Sequence, residues 1–138
     1  MGTETGDRLR GGEPRAWAVV ALAIAFFGIG ILFVAAPAVA ASVFGIPAPV
    51  GPAEAYIRAI GFRDLALALY LAGLAAWSTR GALSLVLGAS VLIPVCDIAL
   101  VALVSGPSLS LLLHAAAGAC LAGLAWWVRP VRSSPGPQ

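Results

Sequence analysis

Six ionisable side chains fall within or beside long apolar runs: Glu54, Arg58, Arg63, Asp64, Asp97 and His114. Carboxyls, an imidazole and guanidinium groups are the parts needed for general acid–base chemistry. One group takes a proton, another returns it, and a cation steadies the oxyanion formed in between. One carboxyl held protonated beside one held ionised would suit isomerisation, cyclisation or epoxide opening. Asp64, Arg63, Asp97 and His114 are therefore the candidate catalytic residues, with Glu54, Arg58, Tyr56 and Tyr70 as candidate substrate-binding residues. No serine or cysteine has a base at a recognisable spacing, so no covalent nucleophile is indicated. With one histidine and no helix carrying two ligands four residues apart, no metal site is expected, and no cofactor.

The segments that must position these groups are long and apolar. Of 138 residues, 61% are hydrophobic and only 10% charged, and the mean hydropathy is +1.00. A soluble domain of this size needs a far more polar surface. The expected fold class is all-α, an integral membrane four-helix bundle. Spans are expected at about residues 16–36, 53–77, 82–104 and 108–128, each long enough to cross a hydrocarbon core of about 30 Å. Residues 1–15 and 129–138 are polar and read as flexible tails. Pro37, Pro47, Pro49 and Pro52 punctuate the connection after span one. It reads as a re-entrant or interfacial loop with one helical turn near Val39–Phe44. A cleaved signal peptide is weighed and set aside, because an apolar run of about 20 residues exceeds the usual 7–15.

Eight arginines face six carboxylates, with no lysine. That charge is too small and too scattered for a nucleic-acid surface. Its placement carries more information. Arg8, Arg10, Arg15, Arg80, Arg129 and Arg132 fall on one side of a four-span arrangement, as do Trp17, Trp77, Trp126 and Trp127. Positive residues stay with the cytoplasm and tryptophans anchor at interfaces, so both termini are expected on the cytoplasmic side of the cell membrane. Cys96 and Cys120 lack a CxxC spacing and sit in apolar helices, as structural thiols do.

At a rise of about 1.5 Å per residue, Arg63 and Asp64 come near mid-bilayer, and Asp97 and His114 within about 10 Å of the outer boundary. Glu54 and Arg58 share that outer level. All six are expected to converge on one chamber in the outer half. Glu54 and Arg58, four apart, can pair directly. Tyr56, Arg63, Tyr70 and Trp77, seven apart, form a stripe on another face. Asp64 departs from its helix about 100° from Arg63, so each is expected to reach a different helix. The competing structural reading is a set of buried ion pairs that only fix helix order and rotation. Asp97 follows one turn after Pro94, which frees a backbone carbonyl.

The string Y-x-R-x-x-G-F-R-D (Tyr56, Arg58, Gly61, Phe62, Arg63, Asp64) resembles the signature of a small four-span family, "domain of unknown function 4267". Pro37, Phe44 and Gly45, spaced P-x(6)-F-G, add to the resemblance, as do Asp97 late in span three and His114 in span four. It covers about residues 16–128. The resemblance implies a four-helix membrane domain and brings no established activity with it.

Three uses of the chamber compete. One is acid–base chemistry on a lipophilic small molecule. A second is proton-coupled transport, which the arginines beside Asp64 disfavour for cations and which four helices could enclose only as a homodimer; Gly28, Gly73, Gly118 and Ala122 would permit close contact. A third is an accessory subunit that packs against another membrane protein. The partners expected are membrane lipid and a lipophilic small molecule, with a homodimer as an open expectation and no nucleic acid.

Overall fold

A computed structural model describes residues 8–47 and 51–130. Pro49 of the proline-rich connection, Arg132 and the tails over 1–7 and 131–138 lie outside the described residues. The chain forms α1 (Pro14–Ala35), α2 (Pro37–Phe44), α3 (Ala53–Trp77), α4 (Arg80–Ser90), α5 (Leu92–Ser105) and α6 (Leu109–Val128). Four helical stretches are long and apolar enough to cross a membrane: α1, α3, α4 continued by α5, and α6. The protein is an integral membrane helical bundle.

Local chemistry sets the breaks. Pro14 and Pro37 occupy the first turns of α1 and α2, where a missing N–H costs nothing. Thr79 caps α4 by accepting a hydrogen bond from the Ala82 N–H at 3.3 Å. Residues 37–44 make two full turns of helix rather than one. α2 stops at Gly45, whose φ of 102° favours a residue without Cβ. Gly45 also lies so close to Ser110 that a Cβ would collide with its side chain, fixing the end of α2 against the start of α6.

The third span is not one straight helix. It breaks at Val91 into α4 and α5. Pro94 has no N–H to return to Ser90, so the hydrogen-bond ladder is interrupted there. The buried Ser90 hydroxyl instead donates to Val86 O at 2.8 Å.

Packing differs along the bundle. In the half that carries the chain ends, Val19 and Ala23 of α1, Leu67 and Leu71 of α3, Leu83 and Leu87 of α4, and Leu121, Leu124 and Val128 of α6 form one core. Ser84 of α4 adds a hydrogen bond to Ala125 O of α6, 2.8 Å. In the other half, the buried cluster of Phe33, Ala40, Ala41 and Ile57 belongs only to α1, α2 and α3. There α1 and α3 approach backbone to backbone. A Cβ on Gly61 would stand 2.8 Å from Gly30 O, and one on Gly30 would stand 2.9 Å from Gly61 O. Close approach at small residues is how helices gain contact where lipid removes the hydrophobic incentive.

At the chain-end face, residues just before α1 are tied down. Arg80 donates to both Glu13 carboxylate oxygens, at 2.8 and 2.6 Å, and the Arg10 N–H donates to Glu13 Oε1 at 3.2 Å. Arg8 pairs with Thr79 through the backbone. The tail expected through residue 15 is thus clasped to the α3–α4 turn over its described part. Partial burial would push the Glu13 carboxyl up; the Arg10 N–H and the Arg80 guanidinium outweigh it, and the carboxyl is held below its ordinary value.

Candidate functional site

In the half away from the chain ends, a cavity of about 350 Å³ lies among α1, α2, α3, α5 and α6. Its wall is apolar over most of its area, built from side chains such as Phe26, Phe33, Phe44, Ile60, Ile93 and Leu121. Four polar residues interrupt that wall: Arg63, Asp64, Asp97 and His114. They come from α3, α5 and α6, three segments distant in sequence.

Each is positioned by a different local device. α2 ends at the cavity, and Gly45 N–H and Ile46 N–H both return to Ala41 O, at 3.1 and 3.2 Å. Helix ends leave carbonyls unpaired, and that of Phe44 is taken by His114, whose Nε2 lies 3.0 Å away. A carbonyl oxygen only accepts, so Nε2 carries a hydrogen. The other ring nitrogen, Nδ1, then faces Asp97 Oδ2 at 3.7 Å, within ion-pair reach. A neutral imidazole and an ionised carboxylate would present lone pair to lone pair there. The arrangement is satisfied when the pair holds one further proton, on Nδ1 or on the carboxyl. The Phe44 ring meets the imidazole edge-on at 4.8 Å and Phe33 at 6.3 Å, fixing the ring plane.

On α3, Arg63 Nε and Nη2 donate to Asp64 Oδ1 at 3.1 and 3.0 Å. This corrects the expectation that each would reach a different helix. Their Cα–Cβ bonds do diverge, but the long arginine side chain curls back along α3, and Asp64, with a side chain only 6% exposed, has its charge compensated there. The Arg63–Asp64 and Asp97–His114 pairs line the same cavity.

The remaining candidates stand elsewhere. Glu54 and Arg58 pair with each other at 3.8 Å on a half-exposed face. Tyr56 and Tyr70 are 78% and 66% exposed on the outside of α3. None of the four lines the cavity, so the six ionisable residues do not meet in one chamber. Arg63, Asp64, Asp97 and His114 do. Sequence reasoning missed Phe44, whose backbone and ring both orient His114. Its signals were the Phe44–Gly45 pair ending a short apolar helix and its place in the P-x(6)-F-G part of the family resemblance, neither of which pointed to His114. Among the described residues, no three histidine, cysteine, aspartate or glutamate side chains are grouped so as to hold a metal ion.

The model of the family described as "Domain of unknown function (DUF4267)" matches residues 23–128, most of the chain, and the protein belongs to that family. No curated protein and no solved structure matches the chain.

Proposed function

We propose that this DUF4267 protein holds a lipophilic small molecule inside the membrane and moves a proton on it. The observation that carries this reading is the Asp97–His114 pair, with Nδ1 and Oδ2 3.7 Å apart on the wall of an otherwise apolar cavity. A base and an acid that exchange one proton suit an isomerisation. The imidazole Nδ1 takes a proton from one position of the ligand, and the Asp97 carboxyl returns one at another, so nothing is consumed. Arg63 lines the same cavity and is the cation that would steady an oxyanion formed in between. Cyclisation and epoxide opening need the same parts.

Transport is the weaker reading. Beyond the cavity, Leu71, Leu83, Leu87 and Leu121 are fully buried and seal the half of the bundle that carries the chain ends. A substrate crossing there would have to part the best-packed section of the protein. An accessory role draws no support from a cavity whose polar groups face inward.

The proposal includes an orientation. Arg8, Arg10, Arg15, Arg80 and Arg129 lie at the chain-end face, with Arg129 stacked 3.1 Å over the Trp126 ring and Arg15 5.9 Å from that of Trp127. Arginine-rich boundaries face the cytoplasm and tryptophans mark an interface, so the proposed orientation has both termini inside the cell and the cavity in the outer half.

The test is mass spectrometry of small molecules that co-purify in mild detergent with the wild type, Ala117→Trp and His114→Gln. Ala117 lines the cavity, and tryptophan there fills it. The expected outcome is a lipophilic compound on the wild type that is absent from Ala117→Trp, with an unconverted isomer on His114→Gln. Equal loading of wild type and Ala117→Trp rejects the cavity. An identical compound on wild type and His114→Gln rejects the chemistry and leaves a binding protein.

A further inference from the structure

We infer that the cavity takes a lipophilic carboxylic acid, its carboxylate seated on the Arg63 guanidinium and its tail among the aromatic side chains of α1. This rests on the reading of the cavity as a ligand site and names the class of ligand.

A guanidinium carries five N–H donors. Arg63 spends two of them, one from Nε and one from Nη2, on a single oxygen of Asp64. The two hydrogens of Nη1 and the second of Nη2 meet no acceptor among the described residues. Yet the side chain lines the cavity and is 44% exposed, so the free donors have room in front of them.

Depth makes that costly. Arg63 follows ten residues after the first residue of α3, about 15 Å along the helix axis and close to the centre of the bilayer. The guanidinium is held at this level by Asp64, and three methylenes do not carry it to the headgroups. Donors of a cation at such depth need acceptors. The free Nη1 and Nη2 hydrogens form a fork, and a carboxylate is the group that meets a guanidinium fork with two parallel bonds.

Charge counting agrees. Arg63 and Asp64 cancel, and Asp97 and His114 cancel as well when one of them carries a further proton. A carboxylate added at Arg63 is therefore a single uncompensated anion. It favours uptake of one more proton by the second pair, which then holds a protonated His114 beside a neutral Asp97 and carries a charge of +1. Binding should accordingly draw a proton with the acid, so that the acid enters in neutral form, as it partitions into lipid.

Size bounds the tail. At roughly 30 Å³ for each water-sized group, the cavity holds on the order of a dozen such groups. A chain of about ten carbons with one carboxyl fits that volume.

Titration of the full-length protein in dodecyl maltoside with decanoic acid and with methyl decanoate tests this. The acid should bind about tenfold or more tightly than the ester, the factor that charge-assisted hydrogen bonds supply. Arg63→Gln should erase that preference, and Arg63→Lys should keep only part of it, since an ammonium lacks the fork. Equal binding of acid and ester, or an Arg63→Gln protein that still prefers the acid, overturns the inference and leaves the lipophilic cavity standing. Failure of both probes to bind overturns the inference. If co-purified ligand is also unaffected by Ala117→Trp, the cavity reading falls with it. The acid–ester comparison uses the wild type alone, so it decides even where an Arg63 variant does not fold.

Discussion

Near the chain ends, Leu71, Leu83, Leu87 and Leu121 leave no accessible surface between α3, α4 and α6, whereas further along these helices and their α5 continuation stand apart around a cavity. Three features separate the halves. α2 is inserted only at the cavity end, the third span breaks at Val91, and Arg63, Asp64, Asp97 and His114 line the cavity rather than the tight core. Lipid removes the hydrophobic incentive for helices to associate, so contact must come from packing itself. The tight half supplies that contact. The open half can therefore keep a void and a charged cluster, each a cost that a uniformly packed bundle would avoid.

The contrast predicts a double dissociation, and the largest effect belongs to the open half. His114→Gln retains an N–H able to reach Phe44 O but deletes the Nδ1 that faces Asp97. Turnover of the ligand should fall about 100-fold or more, with thermal unfolding in detergent little changed. Loss of folding instead would mean that the pair is only a structural tie.

Leu87→Ala in the tight half should do the reverse. Removing a fully buried side chain there should cost about 2 kcal/mol or more, read as a lowered unfolding midpoint, while co-purified ligand stays bound. If ligand is lost as well, the two halves are not independent.

Gly61→Ala probes the α1–α3 seam in the open half. Its Cβ would press on Gly30 O and Phe33 Cβ, atoms that cannot simply turn aside, and overpacking of this kind costs about 1–3 kcal/mol. Because Phe33 also lines the cavity, ligand affinity should fall together with stability.

The smallest effect is expected at the chain-end clasp. The folded state holds the Glu13 carboxyl below its ordinary value, so the clasp is fully stabilising above the ordinary glutamate range. Its contribution should fade as pH falls through the lowered folded value. Glu13→Gln should remove that part of the acid dependence of the unfolding midpoint and leave ligand binding unchanged.

Much of the architecture was legible because a bilayer turns fold into length and hydropathy along the chain. Apolar runs interrupted by Pro37, Arg80 and Gly106 mark where helices cross and where they stop. The family resemblance, carried by Tyr56 through Asp64 and by Phe44–Gly45, is likewise a matter of residue order. Depth could also be counted, and it singled out the level shared by Asp97 and His114. Angular reasoning was less secure. Ideal periodicity separated Arg63 from Asp64, but a flexible arginine can fold back over its neighbour. Shared depth grouped Glu54 and Arg58 with Asp97 and His114, but helix rotation, which depends on what packs behind it, keeps that pair off the cavity.

By itself, then, the sequence determined an all-helical membrane bundle and the few side chains able to do chemistry in it, because both follow from composition and spacing in one dimension. Tertiary structure alone decided that α2 would present the Phe44 carbonyl to His114, that the break at Val91 would accompany Asp97 to the cavity wall, and that Tyr56 and Tyr70 would face outward. Those outcomes depend on contacts between segments distant in sequence, where the geometry of each helix is set by the shape of its neighbours.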